Sequence, residues 1–247
     1  MYAIIGFDFS GMFDQESYAF NYNGYEIELT KEVFEVREEY PVPKFISNQL
    51  KIKVKNSNGD AEHEVGMMFL SELSWLYKVK ILATEHMTGG GGRCIAMLAG
   101  QRSMHVNVDM RYYKPMPLDH EQRLAVGLFK EGFSSTSVFF QLLGLYKIFE
   151  IRMDAPTRRE WVTNFLTEHW DGFGFDKPYE YVPKDPAELQ LVLWKYGRCG
   201  VAHGGKEAID VQSLYDHKKT GLCYNIIKMA AEHYMVDEMG IPNLLQY

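Results

Sequence analysis

The sequence has few of the features that mark disulfide-rich or membrane proteins. It contains three cysteines in 247 residues, Cys94, Cys199 and Cys223, and no C-x-x-C pair. This spacing argues against a disulfide framework or a structural zinc site. No apolar run approaches the roughly 20 residues of a membrane span, and the N-terminus lacks the basic-then-apolar order of a secretory signal. We therefore expect a protein of the reducing cytoplasm, without a membrane partner.

Positive charge is also scarce. The chain carries 26 basic and 33 acidic side chains, a formal net charge of -7, so electrostatics do not draw the whole chain to nucleic acid or anionic lipid. Any contact with RNA must therefore be local. Hydrophobic residues make up 46% and aromatic residues 14%, which is too rich for a disordered chain. The composition predicts a folded protein of one large domain or two small ones.

Hydrophobic periodicity divides the chain into a β-rich part and a helical part. Tyr25–Thr30 alternates between apolar and polar residues, as in a half-buried strand, whereas Ala61–Lys78 follows helical spacing. After the proline-containing segment Tyr112–Leu118, helical spacing continues to the end. We predict an α+β protein with a mixed β-rich domain that carries a helix over residues 1–120. The helical remainder, residues 121–247, is predicted as an antiparallel bundle.

Cap signals and apolar stripes locate the helices of the second half. A buried stripe runs from Phe139 to Met153 and includes Glu150. A second helix is predicted over Thr157–Trp170. The third begins at Asp185, which has the composition of an N-cap followed by proline and, three positions on, by glutamate. A final helix is predicted over Val211–Met239.

The most informative stretch is the segment around Arg198 and His203, at the end of the third predicted helix. An interior guanidinium is unfavourable unless it is paired, and a histidine before Gly204-Gly205 meets the partial negative charge of a helix terminus. Arginine, four intervening residues and histidine resemble the signature of HEPN-domain proteins. The resemblance covers about residues 130–240. A β-rich N-terminal region joined to a helical HEPN unit resembles two known groups of proteins. These are the HEPN nucleases of abortive-infection defence and the methylamine utilisation protein MauJ family.

The resemblance implies a homodimeric endoribonuclease that needs neither metal nor cofactor. His203 would transfer protons, and Arg198 would hold the non-bridging oxygens of the RNA phosphate. Two residues five positions apart on an ideal helix point about 140° apart, so the two side chains of one protomer do not converge unless the helix loosens at Gly200. In HEPN families the motifs of two protomers face each other across a two-fold axis. The N-terminal domain would then act as a sensor or accessory element.

Two other interpretations remain open. Active family members often carry Asn, Asp or His after the arginine, whereas this chain has Cys199, a weak hydrogen-bond donor. This departure favours a non-catalytic, MauJ-like accessory or interaction protein whose helical unit only dimerises. In the third interpretation Arg198 pairs with Glu150, which the stripe predicts to point inward, to hold two helices together. His203 would then serve only as a helix cap.

Other candidate ligands and basic residues do not form a second site at this level. No tight spacing unites the metal-compatible residues, which are Cys94, His105 and Asp109 in the first half and His217, Cys223 and His233 in the second. We therefore expect no metal. The basic pairs Arg158-Arg159 and Lys218-Lys219 are expected on solvated helix surfaces, where they could guide RNA phosphates.

Overall fold

A computed structural model describes most of the chain. The described residues are 1–37, 40–55, 59–89, 106–173, 183, 185–196, 200, 209–210 and 212–243. Met1–Pro117 forms one compact unit and Leu118–Asn243 a second. Strands dominate the first unit and helices the second, so the predicted α+β class is confirmed. The sequence also predicts strands over residues 93–98 and 105–110, and the first of these lies outside the described residues.

The first unit is organised around one antiparallel sheet. The strands of this unit are β1 Tyr2–Phe9, β2 Met12–Phe13, β3 Ser17–Tyr22, β4 Tyr25–Thr30, β5 Val33–Arg37, β6 Tyr40–Ile46, β7 Asn48–Lys53, β8 Ile81–Gly89 and β9 Asn107–Val108. The five strands of the main sheet lie in the order β3-β4-β7-β1-β8, while β5 and β6 form a separate antiparallel pair and β2 and β9 a short parallel pair. The alternation predicted for residues 25–30 is that of β4 itself.

The sheet has one buried face because apolar and charged residues alternate along its strands. Ile27 and Leu29 are buried, whereas Glu28 lies opposite Lys51 and forms an exposed ion pair with it at 3.4 Å. Helix α1, Asp60–Tyr77, contacts β1, β7 and β8. A Cβ atom at Gly66 of this helix would overlap the Ile5 side chain, so the absence of a side chain lets α1 approach the sheet.

The second unit is a set of packed helices. Its α-helices are α2 His120–Ser134, α3 Val138–Ile148, α4 Ala155–Glu168, α5 Pro186–Trp194 and α6 Leu214–His233. Helix α3 packs against both α2 and α6, while α4 packs against α5. Trp170–Phe173 forms a short 3-10 helix, and a π-helix, Tyr234–Glu238, continues α6. In the part of the chain that is described, no helix combines the length and apolar character needed to cross a membrane.

Side-chain caps start these helices. The predicted cap at Asp185 is confirmed, because its carboxylate accepts a hydrogen bond from the backbone N–H of Glu188 at 2.8 Å. Asp154 caps α4 in the same way. The apolar stripe predicted from Phe139 to Met153 is buried as far as Met153, but its helical conformation ends earlier, because α3 ends at Ile148. The chain must turn before the cap at Asp154, and this local signal overrides the apolar spacing.

Candidate functional site

The candidate catalytic residues lie on a segment that is described only at its edges and at Gly200. Arg198, Cys199 and His203 fall outside the described residues. The flanks are well defined, because α5 and Tyr196 precede the segment and α6 follows it. These flanking residues form the described surroundings of the segment.

One carboxylate joins the two ends of the segment. The Tyr196 hydroxyl donates to Oδ1 of Asp216 at 2.9 Å, and the Asp210 backbone N–H donates to Oδ2 of Asp216 at 3.1 Å. Ser213 caps α6 by accepting from the Asp216 backbone N–H at 3.3 Å, which holds this residue at the start of the helix. Burial and the neighbouring Asp216 raise the pKa of Tyr196, so its hydroxyl remains a donor at neutral pH. The Asp216 clamp thus brings together the chain before Arg198 and the chain after His203.

Gly200 fits closely against the chain that leaves the segment. Its carbonyl oxygen accepts a hydrogen bond from the backbone N–H of Ile209 at 3.4 Å. A Cβ atom at Gly200 would overlap the Ile209 side chain and lie 3.1 Å from the carbonyl oxygen of Lys195. Packing therefore favours glycine at this position, because a larger residue would have to displace the Ile209 side chain.

A cation lies beside the same segment. The ammonium group of Lys219 lies 5.4 Å from the centre of the Tyr196 ring and 5.6 Å from that of the Tyr215 ring. Aromatic faces attract cations at these distances. The predicted solvated pair Lys218-Lys219 is therefore divided, since Lys218 is exposed and Lys219 is half-buried.

Glu150 lies just after α3 and forms an ion pair within the helical unit. Its Oε1 atom is 3.5 Å from Nη1 of Arg158, whose side chain is only 5% exposed. Nη1 also donates to the Met153 carbonyl at 3.5 Å, and the guanidinium carbon lies 5.4 Å from the centre of the Tyr146 ring. The prediction that Arg158 is solvated is wrong, because this face of α4 packs into the unit. The pairing of Glu150 with Arg198 stays a prediction.

Sequence reasoning also missed a buried carboxylate in the β-rich unit. Glu72 of α1 accepts hydrogen bonds from the hydroxyls of Tyr22, at 2.6 Å, and Tyr113, at 2.7 Å, and from the Met116 backbone N–H at 3.1 Å. Burial raises the pKa of Glu72, although these three bonds act in the opposite direction. The sequence carried a signal for this burial. Phe69 lies three positions before Glu72 on α1 and belongs to the apolar stripe of that helix, and residues three positions apart lie on the same helix face. The arrangement is a closed structural network.

The thiol and metal-ligand candidates are only partly within the described structure. Cys94 and His105 lie outside it. Cys223 is buried in α6, and burial raises the pKa of its thiol to about 12, so it is not a nucleophile at neutral pH. Among the described residues, no group of three or more His, Cys, Asp or Glu side chains is placed to hold a metal ion.

The helical unit matches a known protein family. Residues 125–236 match the model of the family described as Methylamine utilization protein MauJ. The helical unit is similar to MauJ. The matched range begins inside α2, ends inside the π-helix, and includes Glu150 and the segment with Arg198 and His203. Searches of curated proteins and of solved structures found no match.

Proposed function

We propose that this chain is a MauJ-like accessory protein that acts by binding through its helical unit. The match of residues 125–236 to the MauJ family carries this proposal, because it spans the helices from α2 to the π-helix. The family description names methylamine utilisation, so an accessory role in the use of small amines is the process that the similarity favours. The substitution of Cys199 for the polar residue of active HEPN nucleases supports binding without catalysis.

The exposed apolar side chains of the helical unit support a homodimer. Phe140 of α3 is 61% exposed and Leu124 of α2 is 47% exposed. These helices approach closely, because a Cβ atom at Gly144 would lie 2.8 Å from the Cα atom of Gly132. Aromatic side chains are enriched at protein interfaces relative to the rest of the surface. We infer that a second copy of the chain covers Phe140.

Light scattering after gel filtration tests this dimer. The wild-type chain should elute with twice the monomer mass, and Phe140→Asp should be a folded monomer because a buried carboxylate would oppose association. Leu82→Asp is the control, since Leu82 is similarly exposed but lies on β8 of the other unit. A wild-type monomer, or a Phe140→Asp dimer, would contradict the interface.

A metal-independent ribonuclease is the second candidate function. The Asp216 clamp favours it, because it joins Tyr196 and Asp210, the described residues on either side of the motif, and catalytic groups need a fixed mutual geometry. His203 would transfer protons between the 2′-hydroxyl, the phosphate and the leaving oxygen, and Arg198 would stabilise the charged phosphorane. Lys219 would add positive charge beside the phosphate.

Incubation of the purified protein with total RNA in EDTA separates the two functions. The set comprises the wild type, His203→Ala, Arg198→Ala and the control His120→Ala, a substitution at an exposed position of α2. We expect no cleavage by the folded wild-type protein, as an accessory role requires. Cleavage that is lost in His203→Ala and Arg198→Ala but retained in His120→Ala would establish the ribonuclease instead.

A double-mutant cycle tests the pairing of Glu150 with Arg198. If the two side chains interact, Arg198→Ala lowers the melting temperature, and its effect shrinks in a Glu150→Ala background. Additive effects of the two substitutions would remove this pair from the site. Arg158→Ala in the same cycle calibrates the coupling, because its contact with Glu150 is observed at 3.5 Å.

A further inference from the structure

Two histidines meet where α4 and α6 end. His169 is the C-cap of α4, and His233 is the last residue of α6. Their ring centres are 5.4 Å apart, and their planes are nearly perpendicular at 81°. Phe165 packs against both rings, with centre distances of 4.4 and 5.3 Å. The Phe165 ring thus contacts both imidazoles and restricts the position of each.

This spacing is that of two imidazoles bound to one tetrahedral metal ion. A Zn–N bond of about 2.1 Å places each ring centre about 3.2 Å from the metal, so two ligands about 109° apart have centres about 5.2 Å apart. The observed distance of 5.4 Å agrees with this value. Edge-to-face aromatic contacts also occur at such distances. The groups around the two rings therefore distinguish a metal site from aromatic packing.

A carboxylate beside His233 is the first of these groups. Its Nδ1 atom lies 3.0 Å from Oδ2 of Asp237, which the π-helix presents one turn later. A carboxylate close to one ring nitrogen favours a proton on that nitrogen and leaves the other nitrogen for a metal, as in the usual outer-shell arrangement of histidine ligands. The side chains of His233 and Asp237 are 39% and 53% exposed, so an ion can reach them from solvent.

The surrounding charges favour a cation. Glu238, on the same π-helix, accepts a hydrogen bond from the indole Nε1 of Trp161 at 3.3 Å. The C-terminus of α4 adds partial negative charge at His169. Arg152 is the cation that contacts this turn, through the Glu238 carbonyl, and it is also paired with Glu121 at 2.7 Å. Its charge is therefore largely offset.

We propose that His169 and His233 bind a late first-row divalent metal ion, of the zinc or copper class, with Asp237 orienting His233. Imidazole is a preferred ligand of these ions. The protein supplies two ligands and water completes the coordination, which is consistent with the lack of a three-ligand group among the described side chains. The expectation of no metal considered His233 only with His217 and Cys223, whereas its partner His169 lies on another helix.

Titration of the untagged, chelator-treated full chain with zinc chloride in a calorimeter tests this site. We expect one ion per chain. His169→Phe and His233→Phe keep an aromatic ring against Phe165 but remove the nitrogen ligands, so each should weaken binding at least tenfold. Asp237→Ala should weaken it about tenfold, as loss of an outer-shell partner does. The control His120→Ala should bind as the wild type does.

Titration with copper chloride provides a second measurement that does not depend on heat. The electron paramagnetic resonance spectrum of the bound ion should show two nitrogen ligands in the wild type and fewer in His169→Phe. Melting curves verify that each variant is folded, and His169→Gln replaces any phenylalanine variant that is not. Absence of binding to the wild type, or binding that survives both phenylalanine substitutions, would show aromatic packing only. Neither measurement depends on the proposed accessory function.

Discussion

The two units of this protein each bury an ionisable side chain, and they stabilise it in different ways. In the β-rich unit, Glu72 is surrounded by neutral donors, which are two tyrosine hydroxyls and one backbone N–H. In the helical unit, Arg158 has the carboxylate of Glu150 as a counter-ion, together with a carbonyl oxygen and an aromatic face. The first arrangement leaves a net charge in the interior, whereas the second does not.

This difference determines how each unit responds to perturbation. Neutral dipoles compensate a buried charge incompletely, so the pKa of Glu72 rises and the β-rich unit becomes sensitive to protons. An ion pair is sensitive instead to loss of one partner, because the remaining charge stays buried without compensation. The less exposed member then controls the cost, and in this pair it is Arg158.

The largest effect is expected from Glu150→Ala. This substitution removes the carboxylate that contacts the buried guanidinium of Arg158, and we expect it to lower the free energy of unfolding by about 3 kcal/mol. Urea unfolding followed by circular dichroism measures the loss. Arg158→Met is the comparison, because a methionine of similar length removes the charge and fills the space. If Arg158→Met were the more damaging of the two, the asymmetry between the partners would be disproved.

A smaller effect is expected from Tyr113→Phe in the β-rich unit. The substitution removes one of three donors to Glu72 and keeps the ring, so the free energy of unfolding should fall by about 2 kcal/mol, as for a hydrogen bond to a charged group. Tyr112→Phe is the matched control, because the neighbouring Tyr112 is 75% exposed. Equal stability of Tyr113→Phe and Tyr112→Phe would mean that the network contributes nothing measurable.

The pH dependence should distinguish the units most finely. Because the folded-state pKa of Glu72 lies above its unfolded value, the stabilisation from its protonated form is present below the unfolded pKa. It is lost as the pH rises through the folded pKa. Relative to Glu72→Gln, which does not titrate, the wild type should therefore lose stability as the pH rises above about 4.5. Denaturation at a series of pH values measures the free energy of unfolding of both proteins. The wild-type value minus the Glu72→Gln value should fall as the pH rises, and an increase would contradict the raised pKa of Glu72.

The success of the sequence predictions depended on how local each signal was. The strand β4 and the cap at Asp185 follow from neighbouring residues, and both were predicted correctly. Arg158 was placed on the surface because an Arg-Arg pair in a helix is usually solvated, and no local feature reveals that its face of α4 packs against Tyr146. The extension of α3 to Met153 failed for a related reason, since apolar spacing continues where the chain turns.

The candidate sites show the same division. The arginine–histidine motif and the similarity of residues 125–236 to MauJ are readable from the order of residues, because the first lies in one short segment and the second in one contiguous range. Glu72 meets Tyr22 and Tyr113 across separations of 50 and 41 residues, and His169 meets His233 only through the packing of two helices. Caps, turns and periodicity are set by bonds between near neighbours, so the residue order encodes them directly. Contacts between distant residues form only when the whole core closes, and the folded chain alone specifies which buried charges and which histidines become partners.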